Sequence, residues 1–522
     1  METTVDTSIP YLTSLSYLQT QSLNKENAKS QASLSKSIEH ISTGLRVIDA
    51  GDDLAGFAIA DRLDVQAQGM TKALQNTNEA LTAARVAESS LNEYTDILGY
   101  MKELAEKATN KNLSLDDRQI LQKEIDNLQD RLKNIASETT FRGRKLLNGT
   151  YRTQNIQVGG SVGEVMSVSL KTARPDQIGL HEVVSGGEMN DSGGKSSGDY
   201  AAILNGVETG DSFTIQGHSG AQYIEVMAES SAKEIADAVN DKSDLTGITA
   251  KATTYLKVYD MKNVAGAPAP TIDVSLTIHG ASDTSVNATL SAMGDQSAYY
   301  NLEQLYEELS SKYASTHVKP ELSADQSAIT LKAEEGYDIG IEDFTTTAAG
   351  FTILNCSGLE SDGETVRGQR FLNNVFVDSF RISGYVELQS EEPFIVFAGS
   401  NPALFSSTGS THLPALKALD AIDITSQDSA EEALEIIERA NTYVDNIHAD
   451  VQSYESGFEA IMQRLESAAD QMEDSKHKII DADLVEETMT SSRATIQIQS
   501  QNSLLTQANR LIPEYSLFLI RQ

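Results

Sequence analysis

The sequence predicts a mainly α chain with a β-rich insert: a long antiparallel coiled coil or three-helix bundle built from both chain ends, plus solvent-projecting α+β domains. Three observations predict it. Ala433, Ile437, Ala440, Val444, Ile447, Val451, Tyr454, Phe458, Ile461, Leu465, Ala468 and Met472 step by four and three residues without exception, which is the seam of a coiled coil. The same step runs through Leu63, Ala67, Met70, Leu74, Thr77, Leu81 and Ala84 in the N-terminal half. Between these regions the chain turns rich in Gly, Ser, Thr and Asp and carries short alternating strands.

From the N-terminus, the first element is a helical tail over 1–48 with a narrow apolar stripe of Leu34, Ile38, Ile41 and Leu45. Next come the bundle helices and a β-hairpin of 49–175. Asp52 and Asp53 precede the first, as acidic residues favour the positive end of a helix. Its seam passes Ala84 with one short step to Ala87 and resumes through Leu91, Tyr94, Leu98, Met101, Ala105 and Ala108. That extra three-residue step overwinds the pairing locally. A further helix starts at the N-cap Ser114, has Asp117 three residues on, and aligns Leu121, Ile125, Leu128, Leu132 and Ile135. The C-terminal seam helix, within 406–478, is about 60 Å long over roughly 40 residues and needs partners along its length. The bundle seam is therefore assigned to Leu74, Leu81, Leu91, Leu98, Leu128, Val444, Ile447, Val451, Phe458, Ile461 and Leu465.

The insert, 176–405, divides into two units of β-β-α-β plan. The first has strands at Ser212–Ile215 and Tyr223–Val226, a helix at 231–240 and strands over Ile248–Tyr259. The second has a strand at Val274–Ile278, a helix through Leu302, Leu305 and Leu309, and a strand at Ile329–Lys332. The last segment, 479–522, is a second helical tail striped by Leu504, Ala508 and Leu511. Amphipathic tails at both ends, with no further segment to cover them, are expected to pair with each other and with neighbouring molecules.

Composition excludes several functions. With 76 acidic and 40 basic residues the net charge is -36, which repels a phosphate backbone, so no nucleic-acid partner is expected. The single cysteine, Cys356, closes no intrachain disulfide. Without a run of 18 apolar residues, no membrane insertion is expected. The opening Met1-Glu2-Thr3-Thr4-Val5-Asp6 lacks the basic and apolar regions of a secretory leader. No catalytic constellation stands out. His181-Glu182-Val183-Val184-Ser185 begins like a zinc-protease helix, but Ser185 occupies the place of the second imidazole. Glycine pairs such as Gly159-Gly160 lack the Lys-Ser/Thr context of a phosphate loop. The sequence thus predicts no enzyme activity, no catalytic residue, no cofactor and no metal site.

Particular segments carry a family resemblance. Ser42-Thr43-Gly44-Leu45-Arg46-Val47 followed by Asp52-Asp53-Leu54-Ala55-Gly56-Phe57-Ala58-Ile59-Ala60, then Thr139-Thr140-Phe141-Arg142-Gly143-Arg144-Lys145-Leu146-Leu147-Asn148-Gly149, and finally Ile480-Asp481-Ala482-Asp483 and Gln507-Ala508-Asn509-Arg510 resemble bacterial flagellins, in family order and with the insert where the family places its own. The resemblance implies a structural subunit that polymerises with copies of itself into the extracellular flagellar filament. Terminal helices, here Leu34, Ile38, Ile41, Leu45, Leu504, Ala508 and Leu511, line its inner tube, and the bundle makes lateral and axial contacts.

Implied partners are the flagellar cap and hook-filament junction proteins, an export chaperone and the type III export apparatus, through which flagellins leave without a cleaved signal. Two other readings use the same layout: a hook-filament junction protein, and a secreted coiled-coil adhesin or secretion-tip protein. The chain departs from the family at Pro10–Leu15 and at its final segment from Pro513. It departs also at the motif by which an immune receptor for flagellin contacts the bundle: Leu104 and Glu124 match, whereas Tyr100 replaces an arginine.

Overall fold

A computed structural model describes residues 8–186, 194–208, 210–265, 269–293, 299–348, 350–361, 363–399, 404–405 and 410–520, without the side chains of 8–16, 265, 508 and 510–520. Helices α1 (Ser8–Thr43), α2 (Leu54–Ala108) and α3 (Leu115–Glu138) come first. Within the insert lie α4 (Ala232–Asn240), α5 (Ser243–Thr246), α6 (Glu303–Ser311) and α7 (Tyr313–Thr316), and α8 (Gln427–Ile480) and α9 (Leu484–Ile520) close the chain. Internal packing divides it into two units: Met1–Arg85 with Thr153–Ser169 and Gln452–Gln522, and Val86–Arg152 with Leu170–Val451.

In the first unit α1 pairs with α9, and the first part of α2 runs beside the last part of α8. The latter pair is antiparallel, since Arg85 bonds Glu459 at 2.9 Å while Asp64 bonds Lys476. A glycine ends α1 because only a left-handed residue turns the chain there: Gly44 has φ +74° and its N–H donates to the His40 carbonyl at 2.8 Å.

The second unit holds α3 with the remainder of α2 and α8. Ser114 caps α3 in the predicted capping box with Asp117, and Ile125, Leu128, Leu132 and Ala136 form its buried face. Strands β1 (Thr140–Phe141) and β2 (Arg144–Lys145) follow as a tight hairpin. Its turn residues Arg142 and Gly143 are both left-handed, at φ 49° and 78°, as a type I′ turn requires. β3 (Gln154–Gln157) and β4 (Val165–Val168) form a separate hairpin in the first unit.

In the insert, β5 (Gly179–Val184) and β6 (Lys195–Ser197) lead into the hairpin β7 (Ser212–Gln216) and β8 (Ala221–Glu225), then α4, then the 17-residue β9 (Thr249–Ala265). The hairpin β10 (Thr271–His279) and β11 (Thr284–Ser291), α6, and β12 (Lys319–Leu322), β13 (Ala328–Ala333) and β14 (Ile339–Thr346) come next. β15 (Phe351–Leu359), β16 (Val366–Asn373), β17 (Ser379–Ile382), β18 (Tyr385–Ser390), β19 (Ile395–Ala398), β20 (Thr411–His412) and β21 (Ala415–Ala418) complete it.

Pairing reveals one plan used twice. In β10-β11-α6-β12-β13-β14 the first two strands pair, β12 pairs β13, and β14 returns to β10. In β7-β8-α4-β9-β18-β19 the first two pair, β9 pairs β18, and β19 returns to β7. Within the insert, the β7-to-β19 repeat is thus interrupted between β9 and β18 by the whole of the β10-to-β14 repeat. The strands expected in the second repeat, Val274–Ile278 and Ile329–Lys332, fall on β10 and β13, while β11 and β12 were not anticipated. Two cores result: α4 lays Ala232, Ile235, Ala236 and Val239 on Phe213, Ile215 and Ile224, while α6 lays Leu305 and Leu309 with Val286 and Leu290.

Candidate functional site

The terminal helices are joined by polar groups. Asn27 Nδ2 donates to Asn502 Oδ1 at 2.9 Å, and His40 Nδ1 lies 2.7 Å from Glu487 Oε1. At the turn after α1, the Arg46 N–H donates to the Ile480 carbonyl at 2.6 Å and Ala482 N–H to the Gly44 carbonyl at 2.9 Å. The Lys36 ammonium at 2.6 Å and the Ile48 N–H at 2.9 Å hold the Asp52 carboxyl down at about 2. Asp53 accepts from the Ala55 and Gly56 amides and Asp483 from those of Val485 and Glu486. These acids cap α2 and α9, the dipole role that their spacing suggests.

What this pairing buries is chiefly Ser30, Ser37, His40 and Ala494. Of the residues assigned to the inner tube, Leu34 and Leu45 are half-buried, Ile38, Ile41 and Leu504 are exposed, and Ala508 and Leu511 lie outside the described side chains. The spacing of α9 also places Val485, Met489 and Ile496 on one helix face, at 70%, 59% and 66% exposure. Sequence reasoning missed this face, because its stripe is interrupted by Ser492 and Arg493. Exposed apolar residues thus line both members of the terminal pair.

The seam residues are placed differently in the two units. In the second, Leu91, Leu98, Leu128, Val444, Ile447 and Val451 are buried. In the first, Leu81, Phe458 and Leu465 are buried, whereas Leu74 and Ile461 are half-buried. The reason is that α3 belongs wholly to the second unit, so α2 and α8 of the first unit have one helical partner fewer. Tyr100 is 58% exposed on α2, with Leu104 half-buried one turn on. Glu124 is exposed on α3.

The insert meets α8 through a charged sheet face. One face of β5, β9 and β18 lies on the apolar core through Val183, Ala252, Val386 and Leu388. The other presents Glu182, Lys251, Glu387 and Gln389, because side chains alternate along a strand. Lys251 bonds Glu435 of α8 at 2.5 Å, and Lys417 on β21 bridges Glu182 and Glu432, each at 2.7 Å. Burial opposes the Lys417 ammonium, but its two carboxylates more than offset that and hold its pKa above the ordinary lysine range. Glu387 stands opposite Lys251 in register. Burial pushes its carboxyl up to about 7, Glu182 and Glu435 add to the rise, and Lys251 and Lys417 oppose it.

Among the described residues, little else resembles reaction chemistry. Cys356 is fully buried, and desolvation pushes its thiol well above the ordinary range. Among the described residues no group of three or more His, Cys, Asp or Glu is placed to hold a metal ion, and no helix is long and apolar enough to cross a membrane.

Comparison with known proteins adds to this geometry. Residues 14–152 match the bacterial flagellin N-terminal helical region and residues 434–513 the bacterial flagellin C-terminal helical region. The chain is 27% identical to the B-type flagellin of Pseudomonas aeruginosa over 94% of this chain and 95% of that one. It is 24% identical to flagellin D of Vibrio cholerae over 100% of both. Among solved structures, it is similar to a flagellar junction protein from Legionella pneumophila at 12% identity, covering 82% of this chain and 100% of that one with a TM-score of 0.31. That likeness is too loose to bear on the placement of any element.

Proposed function

We propose, from the premise that the chain belongs to the bacterial flagellin family, that it is the structural, non-enzymatic subunit of a flagellar filament. The observation that carries this reading is the exposed apolar face of Val485, Met489 and Ile496 on α9, together with the exposure of Ile38 and Ile41 on the paired helix α1. Apolar surface is disfavoured in water by about 25 cal/mol per Å². In a helical homopolymer such a face is covered by a different face of the neighbouring copy, since head-to-tail contacts that do not close a ring generate an open filament. Residues 1–48 and 479–522 then form the inner tube, 49–175 and 406–478 the bundle around it, and 176–405 the outer projection. Partners are further copies of the chain, the cap and hook-filament junction proteins, and an export chaperone. The type III export apparatus delivers the chain to the cell exterior without removing a signal peptide.

Electron microscopy of secreted material tests the reading: uniform tubular filaments are expected from the full chain, and dispersed monomers would overturn it. Filaments are expected also from a chain lacking most of 185–400, since the insert has its own cores. Loss of filaments on that deletion would place assembly contacts in the insert.

The exposed Tyr100 bears on recognition of the monomer by the immune receptor. A phenol makes no charge-assisted fork of the kind an arginine makes, and losing such a contact from an interface costs about 2 kcal/mol. Tyr100→Arg is expected to raise receptor signalling at least tenfold in a reporter assay. An unchanged response would remove Tyr100 from the account.

A further inference from the structure

The outer sheet of the insert carries a face whose composition departs from the rest of this acidic chain. Beyond its first pairing with β18, β9 runs between β13 and β15, and β16 extends the sheet beside β15. Its inward residues Leu256 and Val258 join Leu354, Cys356 and Leu372 in the core. Alternation therefore turns Lys257, Tyr259, Asn355 and Phe371 the opposite way. The register sets Tyr259 against Asn355 and Asn355 against Phe371, so the two rings lie on alternate strands, about 10 Å apart at the usual strand spacing. Phe371 is 49% exposed. A bulge at Asp260, with φ 49°, brings Lys262 back to this face beside Ile353.

Two ammonium groups flank the rings. Lys257 Nζ is 6.0 Å from the centre of the Tyr259 ring, and Lys262 Nζ is 5.7 Å from that of the half-exposed Tyr299. Neither lysine has an ion pair among the described residues. Between the rings lies the Asn355 carboxamide, and the buried Ser357 hydroxyl, 3.2 Å from the Tyr259 hydroxyl, holds that phenol in place.

We propose that this face binds an acidic saccharide. Open aromatic faces stack on the apolar faces of sugar rings, amide and hydroxyl groups bond sugar hydroxyls, and the two unpaired ammonium groups take up carboxylate or sulfate charge. Flatness and this mixture of groups favour a saccharide over an acidic helix, which needs a groove. Repulsion from the acidic remainder of the chain is screened beyond about 8 Å at physiological salt, so a short oligosaccharide reaches the face.

Titration calorimetry of the full chain with tetragalacturonate tests the proposal, with neutral maltotetraose as the comparison. Tetragalacturonate is expected to bind, to weaken as salt rises, and to lose at least tenfold in affinity in Tyr259→Ala and in the Lys257→Gln/Lys262→Gln double variant. An unchanged circular dichroism spectrum establishes that these surface variants remain folded. Absence of binding, equal binding of maltotetraose, or affinity unaffected by both variants would overturn the proposal. So would self-association of the chain that both variants abolish while tetragalacturonate stays unbound, which would assign the face to a second copy.

Discussion

Ile447→Asp is expected to abolish filament assembly and to lower the thermal unfolding midpoint more than Leu465→Asp does. Ile447 is 1% exposed and follows Val444 and precedes Val451, both fully buried, in the unit where α8 packs with α2 and α3. An aspartate there has no cationic partner, and its burial costs several kcal/mol once desolvation is counted. Domains are stable by only about 5–15 kcal/mol. Leu465→Asp is expected to act in the same direction but less strongly. Leu465 is buried, yet its neighbours Ile461 and Ala468 are half-buried, which leaves the carboxylate a path to water. Ile447→Val removes one methylene without adding charge and is expected to cost about 0.5–1.5 kcal/mol and to preserve assembly. Thermal melts and electron microscopy of the three variants check this ordering. Normal filaments and an unshifted midpoint in Ile447→Asp would sink it.

Much of the α architecture was legible because helices announce themselves locally. The four-three step runs through Val444, Ile447 and Val451, all buried on α8, and the Ser114–Asp117 pair starts α3 where its capping box forms. Glycine after Thr43 ends α1 for a reason visible in a single residue type. What the sequence concealed depends on pairing between distant segments. The six-element plan of the insert was seen only in part: β11 and β12 were missed, and β18 returns to β9 more than 100 residues later. The tail stripes suggested an apolar contact between the two ends. Instead α1 and α9 meet through His40, Glu487, Asn27 and Asn502, leaving Ile38 outside. An amphipathic stripe says that a face wants cover and is silent on whether the same chain supplies it. Charge clusters were hidden for a related reason: Glu182, Lys251, Glu387, Lys417 and Glu435 share a face only through strand register and a helix laid across it.

That last cluster makes the stability of the second unit depend on pH in a direction opposite to most acid-rich proteins. The ordinary value of Glu387 is 4.5 and its folded value about 7, a gap that corresponds to about 3 kcal/mol. Between those values the folded chain holds a proton that the unfolded chain has released, so stability falls as pH rises. The contribution is complete below 4.5 and is lost as pH passes through 7. Carboxyls held low, such as Asp52 and Asp325 at about 2, act the other way, but their contribution is lost only in strong acid. In the window from 5 to 8 Glu387 acts together with two histidines of opposite sign, His181, which burial lowers, and His477, which Asp481 raises. Its surroundings explain the sign: Glu182 and Glu435 already pair with Lys417 and Lys251, so a charged Glu387 enters the face as a surplus carboxylate. Glu387→Gln keeps the shape and removes the ionisation. The thermal midpoint of the unmodified protein is expected to fall between pH 5 and pH 8 by roughly 5–10 °C, at about 2–4 °C per kcal/mol for a domain of this size. The variant is expected to show a much flatter profile, to match the parent near pH 5 and to exceed it at pH 8. Calorimetric scans across that range decide the matter, and an identical pH slope in Glu387→Gln would show that the cluster stays charged throughout and that another group sets the dependence.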